Sequence, residues 1–401
     1  RTSTFYSRCR ISFYGEFCAH GRRTILDSLA KGFLVAPAHW LPPLEYKNMA
    51  ETTIKPVVIP YSALCDPTSN LGAQIEEGFG YAGLGLILVS GVPNLLEHRE
   101  KLLPLGTKLA GVSDEAKAKI ELAETVYSVG WSHGKEKLRE GVFDVNKGSF
   151  YANPQFDQPT TDEALIKKYY QDYYPNVWPK DDVPELESAF KGMGQLMVSV
   201  GELVAKHCDL YVASKLGAAY KPGTLESVVK GSRTAKGRLL HYFPVVTDEV
   251  RTHDSWCTWH NDHSALTALS SAYFTTLAEP SKEVASPDPA SGLYAKTRTG
   301  QIVKIAIPKD HLAFQIGETS QILTGAVLRA TPHAVQAPKF PESTLVQRDT
   351  FAVFMQPNHD LLLDPPSGIS PEAVAVGAWR PGLTYSEFSK GTIEGYYDTT
   401  Q

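Results

Sequence analysis

Long apolar runs are missing from this chain of 401 residues: no window of about 18 consecutive apolar residues exists, so no membrane span is expected. Cysteine is scarce and unpatterned. The five present, Cys9, Cys18, Cys65, Cys208 and Cys257, are odd in number and contain no Cys-x-x-Cys pair, which argues against a disulfide framework and fits a reducing compartment, read here as the cytoplasm. Charge of one sign is also lacking. A net charge of -5 and a pI near 6.2 leave no electrostatic footprint for nucleic acid or an acidic membrane surface. Internal repeats and low-complexity tracts are absent. What remains is a chain, 42% hydrophobic, that can bury a large core and whose expected partner is a small molecule, with the protein acting as a monomer.

Against that background the histidines stand out. Twelve are present, and three of them begin a His-x-acid triplet: His98-x-Glu100, His207-x-Asp209 and His260-x-Asp262. Residues i and i+2 share a face on a strand but diverge by about 200° on a helix. His207 lies in 184–216, where Leu186, Phe190, Met193, Met197, Val200 and Val204 recur at helical spacing, and His98 falls in a charge-laced helical stretch. Both triplets read as solvated helix faces. His260 instead precedes the β-compatible run Ser264 to Leu269, so His260 and Asp262 can point the same way. His-x-Asp alone arises often by chance. A third ligand strengthens it: His333, in Pro332-His333, lies 71 residues beyond Asp262. Two imidazoles and one carboxylate on one side of a metal leave three positions free, as oxygen chemistry at non-haem Fe(II) requires.

Fifteen residues after His333 comes Arg348-Asp349-Thr350. Alternation through Leu345 to Phe354 places Val346, Arg348, Thr350 and Ala352 on one strand face. A guanidinium fork and a hydroxyl can then converge on one carboxylate of a small diacid. Cys257, three residues before His260, is expected to face away from it as a small buried residue.

These features resemble the Fe(II)/2-oxoglutarate-dependent oxygenases of the plant type, the group that includes anthocyanidin synthase-like and isopenicillin N synthase-like enzymes. The resemblance spans roughly Ile59 to Gln356. It rests on Trp259-His260-Asn261-Asp262-His263, on Gln315-Ile316-Gly317-Glu318 with Gln321-Ile322-Leu323-Thr324, on Pro332-His333, and on Arg348-x-Thr350 leading into Phe351-Ala352-Val353-Phe354. It implies His260, Asp262 and His333 as iron ligands and Arg348 with Thr350 as the anchor for the distal carboxylate of 2-oxoglutarate. No catalytic residue beyond the ligands is implied. The expected cofactors are Fe(II), 2-oxoglutarate as co-substrate and O2, with ascorbate as reductant. The expected reaction is oxidation of a substrate C-H bond, by hydroxylation, desaturation or ring closure, with release of succinate and CO2. Two departures stand out. Ala334 to Gln347 is longer than usual and holds two prolines, and a threonine replaces the more usual serine. A third concerns the Asn-x-Tyr pair that often touches the co-substrate. Its place is read as His241-Tyr242-Phe243, where Phe243 cannot donate a hydrogen bond, so binding leans on Arg348 and Thr350, with His241 as a further candidate.

The fold expected is α+β, a double-stranded β-helix (jelly roll, cupin-like) core with N-terminal and flanking helices. Helices are predicted over 70–78, 95–109, 161–174 and 184–216, and a strand over 85–91. Short strands follow at 239–243, 264–269, 271–277, 292–298, 302–307, 312–316, 326–330 and 345–355, with a hairpin turn at Thr299-Gly300 and a surface loop over 279–291. The organisation expected is a non-native or disordered extension over 1–48, a mainly helical region over 49–230, and the catalytic core over 231–401, the last two forming a single body.

Within 127–154, Trp131, His133, Lys135, Lys137, Phe150 and Tyr151 are candidate substrate contacts, although an ordered aromatic loop packed on the barrel is favoured. A small organic acid, amino acid derivative or specialised metabolite is the substrate class to screen first. Residues 1–48 hold seven Lys or Arg against three acids. They are read as an upstream extension, with Met49 as the natural start, in preference to a transit peptide. Three competing readings are an iron oxidase that does not use 2-oxoglutarate, a Zn(II) hydrolase, and a non-catalytic metal-binding module. The distal Arg348 disfavours the first two, and the intact triad the third.

Overall fold

The computed structural model describes residues 55–139, 142–245, 255–339 and 344–393. The expectations for residues 1–48 and Met49 lie outside them. Among the described residues no helix is long and apolar enough to cross a membrane.

Fifteen strands occur among the described residues: β1 Val57–Pro60, β2 Leu86–Ser90, β3 Gly130–His133, β4 Lys137–Arg139, β5 Val142–Phe143, β6 Lys147–Ala152, β7 Lys236–Tyr242, β8 Ser255–His260, β9 Leu266–Leu269, β10 Tyr273–Thr276, β11 Gly292–Lys296, β12 Ile302–Ile305, β13 His311–Ile316, β14 His333–Gln336 and β15 Val346–Met355. Nine form a large sheet in the order β1-β2-β13-β9-β15-β7-β6-β3, with β10 on β15. Four form a small sheet in the order β12-β11-β14-β8, and β4 and β5 make a separate hairpin. The long strand β15 organises the large sheet. One edge carries β7 from Arg348↔Tyr242 to Phe354↔Lys236, while the other takes β10 up to Asp349 and then β9 from Ala352 onward. The result is the expected double-stranded β-helix, two facing sheets with flanking helices.

Strand alternation decides what lies on each side. On β15, Phe351, Val353 and Met355 join the helix-side core, while Ala352 joins the second core enclosed between the sheets. The second core draws Leu240 and Tyr242 from β7, Trp256 from β8, Leu293 and Ala295 from β11, and Val335 from β14, so both sheets contribute to it. The helix-side core is covered by the 31-residue helix Leu186–Leu216, whose buried Phe190, Met193, Met197, Val200 and Val204 follow the helical period read from the sequence. Gly201 lets that helix approach the sheet, since a Cβ there would lie 2.3 Å from the Met355 sulfur. Strands from the first half of the chain, β1, β2, β3 and β6, extend the same large sheet.

Several expectations needed correction. The helix predicted over 95–109 is interrupted at Leu103, where Pro104 starts a second helix, Pro104–Ala110. That over 161–174 breaks at Tyr169 into Glu163–Lys168 and Tyr170–Tyr173. No strand forms over 326–330, because the chain leaves the buried helix Glu318–Leu323 through Gly325 and Ala326, both at positive φ. His207-x-Asp209 is not a solvated face. His207 is buried with its Nε2 3.0 Å from the Leu64 carbonyl, and buried Asp209 accepts the backbone N–H groups of Leu225 and Glu226 at the start of the helix Thr224–Gly231. The hairpin at Thr299-Gly300 is found, joining β11 to β12 with Gly300 at φ +83°.

Candidate active site

His260 ends β8, and His333 opens β14 directly opposite it. The pairing is irregular. His333 matches His260 and Val335 matches Cys257, so two steps on β14 answer three on β8. This extra residue is a β-bulge, which turns residues i and i+3 toward one side. Cys257 therefore does not face away: its Sγ lies 3.7 Å from His260 Nδ1. Burial raises the cost of a thiolate there, yet the neighbouring imidazole outweighs it and draws the Cys257 pKa below its ordinary value.

The way His260 and Asp262 meet is also corrected. They do not sit two apart on one strand, since regular structure stops at His260 and Asp262 lies in the following turn-free segment. That segment is held by the motif around Gly317. The Glu318 N–H donates to the Asp262 carbonyl at 2.8 Å, and Asn261 donates its side-chain amide to Glu318 Oε1 at 2.9 Å. Gly317 is required by close approach, because a Cβ would sit 1.9 Å from the Ser264 carbonyl oxygen.

The three predicted ligands converge. Asp262 Oδ1 lies 3.8 Å from His260 Nε2 and 3.7 Å from His333 Nε2, and one ligand atom from each residue falls within 4.8 Å of the others. Each Nδ1 faces a backbone carbonyl, Thr258 for His260 at 2.7 Å and Thr331 for His333 at 3.4 Å. A proton held at Nδ1 leaves Nε2 as a lone pair, the tautomer a metal ligand needs. Burial pulls the His333 pKa down to about 4, which keeps that imidazole neutral. Burial opposes the Asp262 carboxylate, but His333 and His260 outweigh it and hold its pKa below the ordinary value. Asp262 Oδ2 is buried without a hydrogen-bond partner. Burial lowers the His260 pKa, but Cys257 and Asp262 outweigh it and raise it to about 9, so that ring holds a second proton that a bound metal would displace. Two imidazoles and one carboxylate with a spare buried oxygen fit a divalent cation.

Between the sheets, on one side of this triad, lies a space of about 250 Å³ bordered by Leu240, Tyr242, Gln315, Arg348 and Thr350. Arg348 is buried. Its guanidinium carbon sits 4.8 Å above the Tyr242 ring and 5.9 Å from Trp256, and its Nε and Nη1 have no hydrogen-bond partner. Thr350 shares that face, its hydroxyl 3.4 Å from the Ser270 carbonyl. Asp349, between them, points the other way into a buried network with His241 Nδ1 at 2.9 Å and the Thr107 hydroxyl at 2.6 Å. His241 therefore does not line the space with Arg348, which corrects its candidacy as a co-substrate contact. The inward side chains of β7 are Arg238, Leu240 and Tyr242, so Tyr242 occupies the place sought one residue to either side.

A second cavity of about 190 Å³ opens beyond the triad, with His260, Asp262, Asn261 and Cys257 on its wall. Of the aromatic and basic residues proposed to reach substrate, only Tyr151 borders it. Trp131 and Phe150 are buried in the helix-side core, His133 Nε2 meets the Val145 carbonyl at 2.9 Å, and Lys135 lies 3.7 Å from Glu121. The side chain of Lys137 lies outside the described residues. Sequence reasoning missed Glu136, Asp144, Lys147, Asp172, Lys236 and Arg238, all of which border this cavity. Only Arg238 carried a signal, being two and four residues before the inward Leu240 and Tyr242.

No protein-family model matches the chain, and no curated protein matches its sequence. Solved structures do. A Caulobacter crescentus protein assigned to the 2OG-Fe(II) oxygenase family aligns with a TM-score of 0.62 at 17% identity, over 84% of this chain and 98% of that one. A full-length Neurospora crassa protein solved in complex with alpha-KG gives 0.61 at 20% identity, over 82% and 93%. The rice dioxygenase for auxin oxidation gives 0.53 at 18% identity, over 84% and 94%. At these identities the likeness establishes the fold, the double-stranded β-helix.

Proposed function

We propose that the protein is an Fe(II)- and 2-oxoglutarate-dependent oxygenase that oxidises a C-H bond of a small organic substrate and releases succinate and CO2. The observation that carries this reading is Arg348: a buried guanidinium with unpartnered Nε and Nη1, on the same enclosed face as the triad. A buried charge without a partner is costly unless a ligand completes it. A diacid bound at the triad by one end would bring a carboxylate to that fork, with the Thr350 hydroxyl beside it.

In this reading His260, Asp262 and His333 hold the iron on one face. When bound, iron supplies activation of dioxygen coupled to loss of CO2 from the co-substrate. The chain's own residues bind and orient. Thr258 and Thr331 carbonyls fix the imidazoles, the Glu318 N–H and Gly317 fix the Asp262 segment, and Tyr242 with Trp256 hold the guanidinium plane. The fold of the neighbours, one solved with alpha-KG, supports the reading. An iron oxidase with no need of 2-oxoglutarate would leave Arg348 without a carboxylate, and so would a Zn(II) hydrolase.

The test is direct. Metal-loaded protein should bind 2-oxoglutarate and, with a competent substrate and O2, form succinate in step with product. Failure of Mn(II)-loaded protein to bind 2-oxoglutarate at millimolar concentration would sink the proposal.

A further inference from the structure

The cavity beyond the triad has a charge pattern opposite to that around Arg348. Six charged side chains besides Asp262 border it among the described residues: Glu136, Asp144, Lys147, Asp172, Lys236 and Arg238. Three are acids and three are bases. Each base is already engaged. Lys147 Nζ lies 3.0 Å from both Glu136 Oε2 and Asp144 Oδ2, and Arg238 reaches Glu136 Oε1 at 2.5 Å and the Ser149 hydroxyl at 3.0 Å. Lys236 donates to the carbonyls of Ser128 and Gln171. Glu136 also accepts from the Tyr151 hydroxyl at 2.9 Å, and Asp172 accepts from Gln356 at 3.0 Å.

A free carboxylate entering this space would lose its hydration and find Lys147 and Arg238 already matched by Glu136 and Asp144, and Lys236 held by two backbone carbonyls. A free ammonium would find Glu136 and Asp144 already matched by Lys147 and Arg238, and Asp172 bound by the Gln356 amide. A neutral polar molecule meets no such penalty, because donors and acceptors along the array can share hydrogen bonds without displacing a charge. Asn261 adds a further cue: its Oδ1 is buried beside the triad with no donor, while its amide group is committed to Glu318. That oxygen fits an N–H or O–H on the ligand.

Resting on the oxygenase reading of the same site, we propose that the substrate is a small molecule without net charge that carries hydrogen-bonding groups, such as an amide, lactam or nitrogen heterocycle. Free carboxylic acids are poor ligands of this cavity. Of the classes named from the sequence, organic acids drop back and neutral molecules come first.

The experiment uses the full chain loaded with Mn(II) and 2-oxoglutarate under nitrogen, so that binding is read without turnover. Matched probes are titrated calorimetrically: nicotinamide and nicotinate, benzamide and benzoate, indole-3-acetamide and indole-3-acetate. The amide is expected to bind at least ten-fold more tightly than its acid in each pair that binds. Glu136→Gln removes one negative charge and leaves Arg238 and Lys147 in excess, so it should narrow that ratio at least ten-fold or reverse it. The double variant Glu136→Gln/Lys147→Gln restores the balance and should restore the amide preference, which separates charge from damage to folding. Tighter binding of the acids by the wild-type chain, absence of binding by every amide, or an unchanged ratio in folded Glu136→Gln would each overturn the proposal. Loss of 2-oxoglutarate binding itself, seen before any probe is added, would instead overturn the oxygenase reading and this proposal with it.

Discussion

Replacing Arg348 by Met keeps much of the stem that packs beneath Tyr242 and Trp256 while deleting the fork. In the ligand-free protein that fork is buried, with Nε and Nη1 unpartnered, so its removal relieves a desolvation cost. The ligand-free melting temperature is therefore expected to hold or rise, the reverse of what loss of an ordinary core residue produces. With ligand the sign changes. Removing one side of a buried charge-assisted pair costs about 2 to 5 kcal/mol, which weakens 2-oxoglutarate by roughly 30-fold to several thousand-fold. At a ligand concentration 100 times the wild-type Kd, the wild-type fold gains about 2.7 kcal/mol. A variant weakened 100-fold gains only about 0.4 kcal/mol at the same concentration. Thermal melts of Mn(II)-loaded protein with and without 2-oxoglutarate read both halves at once. Arg348→Lys should recover part of the shift, since a point charge cannot reproduce the bidentate geometry. A full ligand-induced shift in Arg348→Met would refute the anchor assignment, whatever the ligand-free value.

His260→Ala, Asp262→Ala and His333→Ala should each lower bound iron to a small fraction of the wild-type stoichiometry while circular dichroism stays native-like; full iron content in His333→Ala would remove that residue from the site. Gly317→Ala drives a Cβ into the Ser264 carbonyl and should cost about 1 to 3 kcal/mol of stability in denaturant melts, with weaker metal binding because the Asp262 segment must shift. Glu136 gives a pH prediction. Burial opposes its carboxylate, but Arg238 and Lys147 outweigh this and hold its folded pKa well below the ordinary 4.5. A depressed acid contributes stability above 4.5 that fades as pH falls beneath it, so the melting-temperature advantage of wild type over Glu136→Gln should be level from pH 5 to 7 and shrink below 4.5; an advantage that grows on acidification would contradict the ion-pair geometry.

The convergence of His260, Asp262 and His333 was legible from the residue types that the chemistry requires, though not from strand spacing, and the shared face of Arg348 and Thr350 from the period of two along a strand. His260, Asp262 and His333 meet, and Arg348 and Thr350 share the enclosed face through the alternation of β15. The long helix was legible for the same reason, its apolar residues recurring every three or four positions. What could not be read was any feature set by pairing between distant segments. The bulge that turns Cys257 toward His260 exists only because β14 offers two residues against three. The charged cavity wall joins Glu136 and Lys147 to Arg238 across distant segments, and only Arg238, in step with Leu240 and Tyr242, has a local pattern that marks it as inward.

Strand β7 shows how small the missing information can be. Side chains alternate with a period of two, so placing an inward residue one position off exchanges the two faces of the strand. Reading His241 and Phe243 as inward follows from matching a motif along the chain. The register of β7 against β15 sets Tyr242 opposite Arg348 and His241 opposite Asp349. Since Arg348 must face the enclosed space to serve as an anchor, Tyr242 must face it too, and His241 must join Asp349 among the helices. The chemistry assigned to Arg348 therefore fixes the orientation of β7, and the phenol that supports the guanidinium follows from the pairing, with no motif needed.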